Sequence, residues 1–345
     1  MGAIALSSRF RTARERRDSP KDSKGLLVDY TTHMTPPTRV GRMQVLVQVY
    51  AVGVDAHDIA ALDNQGIFDI GKYVPGRSFV GRAVSLGEDE SDLRPGDLVM
   101  GLMDVRKSGA LSEYVLVDRR RVARAPDSSL TLEQLALLPA QGVTALRALH
   151  NLPLRVGMRA LVMDATAGGA ALISQELARL GVAVTAVISG NDETSRVLAH
   201  AQCVAYGARA VFLGSPTAVM RRMDEGAFDI VVDTRGGPKI FEAARRILAE
   251  GGYLLSLAAD GSTRRPKNTG GGRFRAFRRS RINTAFIVPA GMGEPTVDTS
   301  GLDPRDIMEC PAMANLVPTP TTVVPFERGP EVFARRQGGV VRIVQ

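Results

Sequence analysis

Between Asp164 and Gly181 the chain reads DATAGGAALISQELARLG, a glycine turn running into a helical pattern. Such a turn can hold the pyrophosphate of a dinucleotide. Glycine lets the backbone approach the phosphates closely, and the helix that follows offers free N–H groups and the positive end of its dipole. Gly168 and Gly169 would supply the approach, flanked by Ala165 and Ala171, with Ala170 inside the first helical turn. The usual fingerprint ends in glycine where Ala171 stands here, and alanine is small enough to keep helix and strand close. Taken alone, the motif fits equally a glycine turn in a sheet that has lost its ligand.

The elements around the turn must place it. RALVMD (Arg159–Asp164) reads as a buried strand leading into it, and ALISQELARLG as a helix closed by Gly181. VAVTAVI follows as a second strand, then a helical SRVLAHAQCVAYGA and the short strand AVFL. FDIVVD (Phe228–Asp233), a helix over KIFEAARRILAEGG and the strand YLLSLA (Tyr253–Ala258) extend the alternation. Strands and helices in this rhythm predict a doubly wound parallel sheet. The first part of the chain differs. MQVLVQVYAVGV, FVGRAVSLG, GDLVMGL and SEYVLVD are closely spaced strands, with RPGD (Arg94–Asp97) as a turn, and they predict a small barrel-like domain. PTTVVPFERGPEVFARRQGGVVRIV at the end reads as strand, short helix, strand.

Composition sets bounds. A chain of 345 residues, 44% hydrophobic and 23% charged, suits two soluble globular domains, and no apolar run is long enough to span a bilayer. Two cysteines, Cys203 and Cys310, make neither a disulfide framework nor a structural zinc site, which points to a reducing compartment. The net charge of +8 is concentrated: residues 1–24 hold seven Arg or Lys against three acids, and residues 262–285 hold eight and no acid. The body is near neutral, so any polyanion partner must use those two segments. Residues 1–24 read as a basic, disordered tail. The alternative is an Arg- and Ser-rich mitochondrial presequence, against which Glu15, Asp18 and Asp22 stand.

GVDAHD, PGRSFVG, LRPGDLVMGL, GALSEYVLV, LPAQGVTALRAL, DATAGGAA, FDIVVDTRGG, ILAEGGYLLSLA and VVPFERGPEVF occur in an order and spacing that resemble the medium-chain dehydrogenase/reductase superfamily. Within it the likeness is to the zinc-independent, quinone-oxidoreductase-like branch, from about Val45 to Val344. The resemblance implies an α/β protein: a GroES-like, partly barrelled β domain over 25–145, completed by about 311–345, plus a Rossmann doubly wound parallel sheet domain over 146–310. It also implies a nicotinamide cofactor and, by analogy, a homodimer.

Zinc-dependent relatives place a cysteine where Asp55 stands, a His-Glu pair at Arg77 and Ser78, and a third ligand near Gln141. These residues lack the thiolate and imidazole of a catalytic zinc site, so no metal is expected. Without a Lewis acid, hydride transfer suits an acceptor whose charge delocalises over a conjugated system, a quinone or an enone. An acid ending the second Rossmann strand would favour NAD. Here the strand ends in Ser189, with Arg196 beyond, which resembles the 2′-phosphate site of NADPH-using relatives. Asp192 and Glu193 pull the other way, so NADPH is expected over NADH. Thr144 and Asp233 are retained from the family pattern. Asp55 replaces an asparagine near the nicotinamide, Ala60 a tyrosine found in many quinone reductases, and Gly214 a tyrosine close to the adenosine phosphate.

These residues predict an NADPH-dependent reductase of quinones or other activated carbonyl or alkene acceptors. Asp55 and Thr144 would lie near the nicotinamide, Ala165 and Gly168 to Ala171 on the pyrophosphate, Ser189 and Arg196 on the adenosine phosphate, and Asp233 nearby. An enoyl-thioester reductase shares fold and cofactor. A non-catalytic adaptor binding RNA or an anionic membrane through Arg275, Arg278, Arg279 and Arg281 is the other alternative. It is the less favoured, because Phe274 and Phe277, three apart, read as one buried helix face beside wet arginines. The expected compartment is the cytoplasm, with the mitochondrion as alternative.

Overall fold

The computed structural model describes residues 1–8, 26–56, 58–59, 73–88, 92–104, 107–150, 152–189, 192–257, 283–286, 303–335 and 338–344. The chain forms two compact units. One takes in Met1–Val143 and Leu302–Gln345, the other Thr144–Pro289. Among the described residues no helix is long and apolar enough to cross a membrane.

The first unit is built on the valine-rich strand β3 (Gln44–Val54), whose residues alternate between half-buried and buried. That period puts Val45, Val47 and Val49 into the core. β3 pairs antiparallel with β4 (Ser78–Leu86), and β4 with β5 (Leu98–Leu102). The turn between β4 and β5 closes at RPGD, where the Asp97 N–H donates to the Arg94 carbonyl at 3.1 Å and the Arg94 N–H to the Asp97 carboxylate at 2.8 Å. β6 (Tyr114–Asp118) lies on β3 and β7 (Val122–Arg124) on β5. The C-terminal segment joins the same sheet: β14 (Val323–Pro325) pairs parallel with β15 (Gly339–Arg342), and β15 pairs antiparallel with β3. Phe79, Leu111, Phe326 and Val341 are among the buried side chains that fill this unit.

The start of the chain departs from the expected tail. Ala3–Ser8 is a strand, β1, paired antiparallel with β2 (Leu26–Thr31). Ala3 and Ile4 are fully buried, and the Ile4 N–H donates to the Leu111 carbonyl at 2.8 Å. The charge of residues 1–24 masks the apolar run Ala3-Ile4-Ala5, and burial of those three side chains favours the strand. The basic part, residues 9–25, lies outside the described residues.

Helix α1 (Leu132–His150) carries Pro139 in its interior. It begins on a reciprocal cap: Gln134 Oε1 accepts from the Thr131 N–H at 3.0 Å, and Thr131 Oγ1 from the Gln134 N–H at 3.4 Å. Near the proline, the buried Ser78 hydroxyl donates to the Ala136 carbonyl at 2.7 Å and accepts from the Ala140 N–H at 3.1 Å. The helix is thereby stitched to β4. Gly53 permits the approach on the β3 side, since a Cβ there would come within 2.7 Å of the Ala136 carbonyl oxygen.

The second unit is a six-stranded parallel sheet. Its strands in chain order are β8 (Arg159–Met163), β9 (Ala183–Ile188), β10 (Ala210–Leu213), β11 (Phe228–Asp233), β12 (Leu248–Ser256) and β13 (Asn283–Phe286). Their order across the sheet is β10-β9-β8-β11-β12-β13. The chain thus winds outward one way from β8 and then restarts beside it at β11, the Rossmann order with its switch point between β8 and β11. Helix α2 (Gly168–Arg179) packs on β8 and β9. Helix α3 spans Glu193–Ala205, α4 Pro216–Arg221 and α5 Pro238–Ile247. The helix expected through ILAEGG stops at Ile247. Leu248 already pairs with Phe228, and the extra residues are absorbed in a bulge where Gly251 has a φ of 79°.

Replacing Ser78 by alanine removes the stitch between β4 and α1 and leaves buried backbone groups short of a partner. A destabilisation of about 1–3 kcal/mol is expected, read as a lowered urea midpoint for loss of near-ultraviolet circular dichroism.

Candidate functional site

In the second unit the loops leaving β8 and β11 form the switch point. β8 is followed by Asp164, the one non-glycine residue with a positive φ, 49°, among those described. Aspartate tolerates this left-handed conformation better than most residues do. The turn closes as the Ala167 N–H donates to the Asp164 carbonyl at 3.0 Å, and α2 starts at Gly168. The N-cap Ala167 has no side chain that could accept a hydrogen bond, so the first-turn N–H groups of α2 stand ready for an external acceptor. Gly168 has a φ of 53°, and a Cβ built on it would meet nothing within 4 Å. Glycine is therefore needed for the backbone turn, and the space before the helix end is open. Both features fit a dinucleotide phosphate.

Ala165, Ala170 and Ala171 are buried, each at 2% exposure or less. Ala170 and Ala171 can reach a phosphate only through their N–H groups. Their side chains fill the tight packing for which the fingerprint otherwise uses glycine.

The Asp233 carboxylate faces the loop that follows it. Completely buried, it accepts from the N–H groups of Arg235 at 2.8 Å and Gly236 at 2.9 Å, and from Ser256 Oγ at 3.4 Å. Burial pushes its pKa up despite those donors. Asp233 is the clamp that shapes the loop, and a cofactor feels it only through the loop.

Arg235, which the sequence pattern does not single out, sits on that loop. It makes a bidentate ion pair with Asp164, Nη2 to Oδ1 at 2.7 Å and Nε to Oδ2 at 2.9 Å. Thr234 Oγ1 donates to the same carboxylate at 2.6 Å. The guanidinium also donates from Nη2 to Ser189 Oγ at 3.0 Å. The ends of β8, β9 and β11 are tied together by one side chain. The hydrogen bonds that Arg235 donates to the Asp164 carboxylate hold its pKa above the usual value.

Ser189 is thus brought to Arg235 and not to Arg196, whose ion pair is with Glu193 at 3.9 Å, one turn back on its own helix. Asp192 is committed as the N-cap of α3. Its carboxylate accepts from the Ser195 N–H at 2.8 Å and hydroxyl at 2.6 Å, which hold its pKa low. Gly214 has a φ of 138°, and its carbonyl accepts weakly from Ser189 Oγ at 3.4 Å. Gly190 and Asn191 lie outside the described residues, as does the arginine-rich segment from Arg275 to Arg281. Thr144 is half-buried on α1.

In the first unit Asp55 belongs to a buried charge cluster. Arg77 Nε donates to Asp58 Oδ1 at 3.2 Å, and Nη2 to both Asp55 oxygens at 3.3 Å. Asp55 and Asp58 also cap each other: the Asp55 N–H donates to Asp58 Oδ2 at 3.0 Å and the Asp58 N–H to Asp55 Oδ1 at 3.1 Å. The Arg77 and Asp58 side chains are only 3% and 2% exposed, whereas Asp55 is 21% exposed. Burial opposes the Arg77 charge, but the two carboxylates outweigh it and keep the pKa above its usual value. Burial, and then Asp58, push the nearby Tyr73 phenol up to about 12. Arg77 is thus a fixed organic cation held between the Asp55 and Asp58 carboxylates. His57 and Ala60 lie outside the described residues.

Residues 41–127 match the alcohol dehydrogenase GroES-like domain family. The human mitochondrial NAD(P)H oxidoreductase RTN4IP1 is 25% identical over 93% of this chain and 86% of its own length. Among solved structures, the Pseudomonas syringae pv. Tomato DC3000 quinone oxidoreductase superposes with a TM-score of 0.71 at 18% identity, over 99% of this chain and 100% of that one. The JamJ enoyl reductase does so with a TM-score of 0.70 at 20% identity, over 99% of both chains. Both superpositions share the fold.

The two buried carboxylate arrangements make distinct predictions. Arg77→Met leaves the buried Asp58 without its cation and is expected to cost about 3–5 kcal/mol. Adding Asp55→Asn and Asp58→Asn should restore most of that loss in chemical denaturation. For Asp233, the raised folded pKa means that wild-type stability falls as pH rises through that value, because the unfolded state gives up its proton more readily. Asp233→Asn keeps an oxygen for both loop N–H groups and does not titrate. Its stability relative to wild type should therefore improve from about pH 4 to pH 7 in parallel melts.

Proposed function

Because the chain belongs to the medium-chain dehydrogenase/reductase superfamily, in its quinone-oxidoreductase-like branch, we propose that it is an NADPH-dependent oxidoreductase that works without zinc. Its acceptor is a quinone or another activated carbonyl or alkene. The observation that carries the cofactor is the uncapped end of α2 at Gly168, open in front and set at the β8/β11 switch point. The backbone N–H groups of Gly168, Gly169 and Ala170 bind the pyrophosphate, and Ser189 marks the adenosine ribose at the tip of β9. When bound, the nicotinamide supplies the hydride.

Asp55 is committed to Arg77 as a carboxylate, so its part is electrostatic and it is not a proton donor. Thr144 is the residue we propose as hydrogen-bonding partner of the nicotinamide. Arg77 also supports the zinc-free reading. Its guanidinium engages Asp55, at the position where the resemblance places a cysteine ligand, together with Asp58, and a permanent cation there repels a metal ion. An acceptor that delocalises its developing charge then relieves the protein of Lewis-acid work. The family resemblance further supports a homodimer in a reducing compartment, the cytoplasm or the mitochondrion. RTN4IP1, matched over most of its length, is named as an NAD(P)H oxidoreductase of mitochondria.

The enoyl-thioester reductase reading uses the same donor and the fold shared with JamJ. Purified protein mixed with NADPH and a panel of quinones and enoyl thioesters should show acceptor-dependent loss of absorbance at about 340 nm, unchanged by phenanthroline. Turnover of thioesters alone selects the second reading, and absence of both turnover and NADPH binding sinks both.

A further inference from the structure

We infer that Arg235 is the residue that recognises the 2′-phosphate of NADPH, presented from the loop after β11 and aimed by Asp164. This assignment rests on the cofactor reading above and sharpens it.

The place is fixed by the sheet. In a doubly wound fold the adenosine ribose is read at the tip of the second strand, about 20 residues beyond the glycine turn. Ser189 directly follows β9 at that place, and the Arg235 guanidinium lies 3.0 Å from its hydroxyl. Arg196, on the loop and helix after β9, turns instead to Glu193.

Donor accounting gives the second argument. A guanidinium carries five N–H donors. Arg235 spends Nε and one Nη2 hydrogen on Asp164 and the other Nη2 hydrogen on Ser189. Both Nη1 hydrogens are without an acceptor among the described residues, and the side chain is 44% exposed. Two adjacent donors on a rigid planar cation suit a phosphate better than a ribose hydroxyl, which asks for an acidic acceptor.

The third argument is rigidity. The buried Asp233 carboxylate holds the Arg235 and Gly236 N–H groups, so the loop is set before any ligand arrives. Asp164, braced by Thr234, then fixes the guanidinium plane through two bonds. Arg235 in turn neutralises a carboxylate that would otherwise repel the pyrophosphate at the end of α2. The phosphate can share the guanidinium through Nη1 without breaking the pair.

The test compares adenosine 2′,5′-bisphosphate with 5′-AMP, two probes that differ only in the 2′-phosphate, by isothermal titration calorimetry. Wild type is expected to bind the bisphosphate about tenfold or more tightly than 5′-AMP, the effect of charge-assisted hydrogen bonds. The double variant Asp164→Asn/Arg235→Gln removes the pair without leaving a lone carboxylate, and its affinity ratio should fall to near one. Far-ultraviolet circular dichroism and retained 5′-AMP binding confirm its fold. A wild-type preference that survives in the double variant, or disappears only in Arg196→Gln, overturns the assignment. Equal wild-type affinity for both probes overturns it too, while leaving dinucleotide binding intact. If wild type binds neither probe nor NADPH, the cofactor reading itself fails and takes the assignment with it.

Discussion

The restart of the parallel sheet beside β8 is the constraint on which the candidate nucleotide site depends. Because β11 returns next to β8 rather than next to β10, the loops leaving these two strands start side by side at the switch point. Asp164 and Arg235, 71 residues apart in the chain, meet there as a bidentate pair. The helix end at Gly168 opens from the same edge. A different strand order would leave each of these residues in place along the chain and separate them in space.

Charge is handled in opposite ways in the two units. Arg235 is half-exposed and keeps unspent donors, so its positive charge is available to a ligand. Arg77 is buried and shared between two carboxylates, so its charge is consumed by the fold. The first arrangement suits recognition. The second is a self-contained ion cluster in which one guanidinium answers both carboxylates. Asp58 matters as much as Asp55 here, since it is the more deeply buried partner and cannot be left without a counter-charge.

Much of the fold was legible because its signals are local. The alternation in QVLVQVYAVGV marks a half-buried strand, and RALVMD followed by glycines marks the nucleotide turn. The smallness of Ala171 was also readable, since the site tolerates it by packing. Signals failed where a stronger neighbour hid them. The arginines of residues 9–17 dominate the composition there and hide Ala3, Ile4 and Ala5, which are buried in β1. ILAEGG looks helical by composition, yet sheet pairing of Leu248 ends the helix earlier.

What the sequence determined by itself is the succession of elements, the glycine turn and its place before a helix, because these rest on residue periodicity and backbone freedom. Which charges act together was decided only by the tertiary structure. Arg196 lies seven residues from Ser189 and Arg235 lies 46 away, yet Arg235 is the one bonded to it. Nothing in the local sequence reports that choice, because a side-chain ion pair depends on which strand ends the sheet brings within a few ångströms. The same holds for Arg77, whose partners are set by antiparallel pairing of β3 with β4.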